Sequence, residues 1–247
     1  MMKILGIIPA RYKSSRFPGK PLVSLLGKPM ILWVSELSAK AVGQENVYIA
    51  TDDKRISKVV VDAGFNAIMT SDKCFTGTDR LAEAAKQISA DIYINVQGDE
   101  PLVNPKDIVN IIKAKKLYYN EIINGYCSIS SEEDPNNVNI PKVIFTEDNS
   151  LVYMSRQAIP GFKDNSQAPS QYYKQVCIYA FTADELKSYA DYGRKSTLEA
   201  SEDIEIIRFL EWGKKIRMVK TSPGSLAVDT QEDVAKVEQG LKNIHNV

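Results

Sequence analysis

Apolar residues along the chain fall into two alternating rhythms. Lys3 to Pro9, Asn46 to Ala50, Ala67 to Met69 and Ile92 to Val96 are short, nearly continuous apolar runs that give way to turn-forming or charged residues. Runs of this length predict strands buried on both faces, as in a parallel sheet. Between them, Met30 to Ala41, Lys54 to Ala63 and Asp79 to Ile88 repeat apolar residues at three- and four-residue steps, which predicts helices. The alternation implies βαβ units. Such sheets bind ligands beyond the carboxyl ends of their strands, here the segments after Ile8, Ala50 and Val96.

The second half has a different rhythm. After a predicted helix over Ile108 to Tyr119 come Ile122 to Ser130, Lys142 to Phe145, Leu151 to Met154 and Lys174 to Phe181, which read as strands in a more mixed arrangement. Pro160 to Ser170 is a long polar loop by composition. Ser196 to Glu211 has helical periodicity, Ile216 to Val219 is a short strand, and Thr230 to Leu241 is a final helix that Asp229 or Thr230 is placed to cap. No internal repeat or long linker divides the chain, so one α/β domain over 1–247 is expected, with a mixed, mainly parallel sheet and a smaller substrate-facing lobe.

Charge and composition restrict the chemistry. Lys and Arg together number 31, as do Asp and Glu, so the net charge gives no general attraction to nucleic acid or an anionic membrane, and neither partner is expected. A single histidine, His245 near the end, disfavours Ser-His-Asp and Cys-His nucleophiles and multi-imidazole zinc sites. Carboxylates, Lys, Arg and an oxygen-bound metal are left to do the work. Cys74, Cys127 and Cys177 are far apart without CxxC spacing and read as buried structural thiols. The apolar run at the N-terminus is short for a signal peptide and no stretch has the length of a membrane span, so a reducing cytoplasm is expected.

Four segments carry candidate chemistry. Pro9 to Pro21 places Arg11, Lys13, Arg16 and Lys20 among two serines and a Pro-Gly turn directly after the first strand. That suits a polyphosphate, although neither a Walker A nor a GxGxxG pattern is present. Asp99, just beyond the predicted central strand, reads equally as a ligand for a hard divalent cation or as a turn acid. Asp229 reads by local sequence as an N-cap. Gly77-Thr78-Asp79-Arg80 opens a helix, with Thr78 or Asp79 as its cap and Arg80 as a candidate nucleotide contact. Arg156 and Lys174, on alternating strands, are either carboxylate-binding residues or part of a solvated face. Trp33 and Trp212 sit in helical apolar patterns and read as core.

Together, Ile8 to Leu22, Ala50-Thr51-Asp52-Asp53, Gly77 to Glu83, Val96 to Leu102 and Val228 to Asp233 closely resemble the CMP-Kdo synthetases, the 3-deoxy-manno-octulosonate cytidylyltransferases, in family order over almost the whole chain. The resemblance implies a Rossmann-like nucleotidyltransferase of the glycosyltransferase-A type, with a smaller substrate and dimerisation lobe, homodimeric and cytoplasmic. It further implies transfer of CMP from CTP to a ulosonic acid sugar for bacterial surface polysaccharide, with Mg²⁺ as cofactor. Position by position, Ala10, Arg11, Ser14, Arg16 and Lys20 match the triphosphate loop. Arg80 and Gln97 match the nucleotide and sugar pocket, and Asp99 and Asp229 the metal pair. The catalytic set so implied is Arg11, Lys20, Asp99 and Asp229. Gln97, Arg156, Gln175, Tyr179 and Glu205 fall on the sugar side. The departures lie there too: Gln175 stands where the family usually has histidine, Ile206 where it has an amide, and Cys74 replaces a further histidine. These departures leave room for 8-amino-Kdo, another ulosonate, or a phosphate or phosphonate acceptor, and beyond these for a non-catalytic nucleotide binder.

Overall fold

The computed structural model describes residues 2–13, 17–223, 226–228 and 230–245, without the side chains of 244 and 245. Strand β1 (Ile4–Ala10) is followed by a small hairpin, β2 (Ser24–Leu25) and β3 (Lys28–Pro29), and by α1 (Met30–Val42). Then come β4 (Val47–Thr51), α2 (Lys54–Asp62), β5 (Asn66–Met69), α3 (Gly77–Ala85), β6 (Ile92–Val96) and α4 (Pro105–Leu117). The second half contains β7 (Ile122–Ser128), β8 (Lys142–Phe145), β9 (Leu151–Ser155), β10 (Tyr173–Phe181), α5 (Ala183–Asp191), α6 (Thr197–Glu202), α7 (Ile207–Glu211), β11 (Ile216–Lys220) and α8 (Asp233–His245).

The main sheet runs β11-β7-β10-β6-β1-β4-β5. All neighbours are parallel except at β10, which is antiparallel to both β6 and β7. Both faces are covered, which is why β1 and β6 read as continuous apolar runs. One layer sets Ile31 and Val34 of α1, Val60 of α2 and Ile111 of α4 against Ile8, Ile49, Ile94 and Ile178. The other sets Leu81 of α3, Tyr189 of α5 and Phe209 of α7 against Leu5, Ile7, Tyr93 and Phe181. Strands β8 and β9 form an antiparallel pair that joins the sheet through Lys142, paired with Lys174 at the start of β10. This pair is the smaller lobe. A third apolar cluster seats Val237 and Leu241 of α8 on Leu25, Met30 and Leu102.

Several local expectations change. The helical stretch expected over Ser196 to Glu211 is two helices, because Asp203 turns left-handed at φ 50° and ends α6. Ile204, Ile206, Ile207 and Phe209 all enter one core, so the apolar period continues across the break. Helix α5 has no counterpart in the reading above, although Thr182 and Glu185 form its capping box. The cap of α3 is Thr76, with Asp79 as its box partner, rather than Thr78 or Asp79. Helix α8 begins at Asp233, whose carboxylate accepts from the backbone and hydroxyl of Thr230; Asp229 lies outside the described residues. Of the thiols only Cys127 is buried; Cys74 and Cys177 are half-buried. Trp33 and Trp212 pack at the edges of apolar clusters, as expected.

Candidate active site

A cleft of about 1040 Å³ lies along the carboxyl edge of β1 and β6 and the amino end of β10. Because β10 is reversed, Lys174 and Gln175 at its start meet the ends of its neighbours. Two glycines permit the close packing of the loops that form the rim. A Cβ on Gly98 would lie 2.8 Å from the Pro9 carbonyl, and one on Gly77 would lie 2.9 Å from the Gln97 amide.

Arg11 extends from the end of β1, exposed and lining the cleft. Ala10 also borders the cleft, but only 3% of it is exposed and its side chain belongs to the core. The loop that follows is closed where the Gly19 amide donates to the Tyr12 carbonyl at 2.9 Å. Ser14 and Arg16 lie outside the described residues. Lys20 extends from the loop to Asp99 beyond β6, Nζ to Oδ2 2.6 Å. The Asp99 carbonyl in turn accepts from the amide of Val228 at 3.0 Å, which draws segment 226–228 to the rim.

Arg80 is buried, with Nη1 donating to Thr70 Oγ1 at 2.5 Å and Nη2 3.4 Å from Asp52 Oδ2. Asp52 also accepts from the Tyr12 amide, so one acid ties the loop after β1 to the Arg80 anchor. Asp52 was not singled out above. Its signal was its place at the carboxyl end of β4.

Across the cleft, Glu205 accepts from the Gln97 side-chain amide and the Thr78 backbone amide, each at 2.8 Å. Burial raises the Glu205 pKa to about 7, and nearby Asp79 adds to the shift; the bond from Thr78 opposes it. Gln175 donates to Asn124 Oδ1 at 3.1 Å and to the Tyr179 hydroxyl at 3.3 Å. Burial holds the Tyr179 phenol protonated, and it raises the Cys74 thiol to about 12, helped by its bond to Glu83. Neither Tyr179 nor Cys74 is thus an ionised nucleophile. Arg156 lines the cleft, but its guanidinium is held by the carbonyls of Glu202, Val138 and Asp203. Glu133 pairs with Lys174, and Lys195 with Asp203. Glu133, Lys195 and Asp203 come from loops whose approach to the cleft has no local sequence signal.

The cleft thus brings together Arg11, Lys20, Arg80, Gln97, Asp99, Arg156, Gln175, Tyr179 and Glu205. Cations and turn amides suited to phosphate oxygens stand near the ends of β1 and β6, and a floor rich in amide, hydroxyl and carboxyl groups suited to a polyol stands near β10.

Residues 5–216 match the family model described as cytidylyltransferase. The chain is 40% identical over 248 residues to a 3-deoxy-manno-octulosonate cytidylyltransferase of Syntrophobacter fumaroxidans, covering 96% of each. It is likewise 40% identical over 250 residues to an 8-amino-3,8-dideoxy-manno-octulosonate cytidylyltransferase of Shewanella oneidensis, covering 97% of this chain and 99% of the relative. A solved structure of CMP:2-keto-3-deoxy-manno-octonic acid synthetase complexed with CTP aligns with TM-score 0.90 and 35% identity, covering 98% of this chain and 99% of the other.

Proposed function

Because the chain belongs to the cytidylyltransferase family, we propose that it transfers CMP from CTP to the anomeric hydroxyl of Kdo or a close 3-deoxy-2-ulosonic acid, releasing pyrophosphate. The observation that carries this reading is the Lys20 and Asp99 pair at the carboxyl edge, facing the amide and carboxyl floor of Gln97 and Glu205 across one cleft.

The residues present fit a hard divalent cation. The Asp99 side chain is 29% exposed toward the cleft, and Mg²⁺ typically takes one or two carboxylates and completes its shell with phosphate and water. Among the described residues no group of three or more acidic, histidine or cysteine side chains is placed to hold an ion by itself, so phosphate and water oxygens would have to complete the shell. Asp99 and Asp229 are the residues that would hold the ion. Bound there, Mg²⁺ would neutralise charge on the phosphates and acidify a hydroxyl.

The chain's own residues do the rest. Arg11 and Lys20 hold the triphosphate and offset the charge that grows on the pyrophosphate as its bond to the α-phosphorus breaks. Arg80, locked by Thr70 and Asp52, gives the nucleotide a rigid wall. Gln97, oriented by Glu205, and Gln175, oriented by Asn124, aim polar groups at the acceptor so that its hydroxyl is in line with the α-phosphorus.

Incubation with CTP, Mg²⁺ and a panel of acceptors, with pyrophosphate measured, tests the reading. Turnover of Kdo supports it, and silence with every ulosonate sinks it. The panel includes 8-amino-Kdo, since the Shewanella oneidensis relative bears that name. Family membership further supports one catalytic domain over 1–247, a homodimer, and a cytoplasmic role in bacterial surface polysaccharide synthesis. Among the described residues no helix is long and apolar enough to cross a membrane.

A further inference from the structure

Lys142 opens β8 with no exposed surface. Its ammonium donates to two carbonyls, Asn137 at 2.9 Å and Arg156 at 2.5 Å. Among the described residues no carboxylate comes within ion-pair distance of it. A buried ammonium whose hydrogen bonds go only to carbonyls is costly to desolvate, in contrast to a methionine of similar shape. Burial depresses the Lys142 pKa and Arg156 pushes it the same way, while the more distant carboxylates of Asp134 and Glu202 oppose the shift.

Arg156 continues the arrangement. Three guanidinium nitrogens donate to the carbonyls of Glu202, Val138 and Asp203, while its backbone amide donates to the Glu202 carboxylate at 2.8 Å. Two cations therefore gather carbonyls from segment 137–138, from the end of β9 and from the turn at 202–203. Segments 137–141 and 203–205 both line the cleft at the end shared with β10.

We propose that Lys142 is a positioning residue for the acceptor: out of reach of substrate, it works with Arg156 to clasp segment 137–141 to segment 203–205 and so sets the width of the acceptor end of the cleft. The inference rests on the cytidylyltransferase reading above. An acceptor end of altered width makes fewer simultaneous contacts to the sugar, so loss of the clasp should register as weaker acceptor binding, and hence in the acceptor KM. Lys20 extends instead to Asp99, 2.6 Å away beyond β6.

The test is Lys142→Met in the full chain, with rates measured against acceptor at saturating CTP and against CTP at saturating acceptor. The expected result is an acceptor KM raised about tenfold or more with CTP KM within about twofold. A folded variant whose acceptor KM is unchanged, or whose two KM values rise together, overturns the inference. If the variant does not fold, amide hydrogen exchange on the wild-type protein with CTP decides. Slower exchange in 137–141 and 203–205 on adding acceptor supports the clasp, and equal exchange overturns it. A wild-type protein inert toward every acceptor defeats the functional reading itself, whereas an active wild type with an indifferent Lys142→Met defeats only this inference.

Discussion

The ammonium of Lys20 stands 2.6 Å from the carboxylate of Asp99, although 79 residues separate them in the chain. The first lies just after β1 and the second just after β6, adjacent strands of the sheet. The lysine charge rests on the carboxylate that, in the proposed reaction, would hold a metal ion.

Asp99→Asn should therefore lower kcat by about 100- to 1,000-fold, the usual cost of removing one preorganised electrostatic group. It should also raise the Mg²⁺ concentration needed for half-maximal rate. Steady-state rates across a Mg²⁺ titration check both. Lys20→Met should cost a comparable factor in kcat/KM for CTP without the shift in metal dependence.

Chelation should abolish pyrophosphate release, and added Mg²⁺ should restore it. Loss of activity should occur without unfolding, because the three apolar clusters are built from side chains of the chain itself. Parallel circular dichroism and activity measurements in EDTA check the separation.

Glu205 makes stability depend on pH in a defined sense. Its folded pKa, about 7, lies above the ordinary carboxyl value, so its contribution is complete in acid and is lost as pH rises toward and through 7. Glu205→Gln removes the titration and should flatten the pH profile of unfolding by about 1–3 kcal/mol between acid and mildly alkaline conditions. Urea unfolding of both proteins across that range is the measurement; parallel profiles would show that the carboxyl is not desolvated in the folded protein.

Arg208 predicts a large effect away from the cleft. Its fully buried guanidinium bonds Glu199 at 2.7 Å on two nitrogens and Asp79 at 2.9 Å, and Glu199 has only 1% of its side chain exposed. Arg208→Met should destabilise by about 3–5 kcal/mol because two carboxylates lose their counter-charge. Lys58→Met, which breaks an exposed pair with Asp62, should cost under about 0.5 kcal/mol. Chemical denaturation of the two variants reads the contrast.

Strands buried on both faces were the most legible part of the fold. Ile92–Val96, buried along its whole length, has the bounds that its apolar run predicts, and the half-buried Lys142–Phe145 also has the bounds read for it. Legibility failed where tertiary packing overrode local rhythm, as at Asp203, where a left-handed turn interrupts an apolar period that the core maintains on both sides. Within the site, Lys20 and Asp99 were readable because position beyond a strand is itself a signal. The carbonyl environment of Arg156 was not, since backbone acceptors leave no trace in residue type. For the same reason Lys142 read only as the first residue of a strand.

The reversal of β10 separates the cleft into two inheritances. In the proposed function its nucleotide side is made by parallel strands of the first half, and its sugar side by one strand running the other way with the loops around it. Of the two departures named on the sugar side, Gln175 lines the cleft whereas Ile206 is fully buried in the core and does not reach it, so a change of sugar within this scaffold calls for edits to the strand and to the turn at 203–205 rather than to β1 or β6.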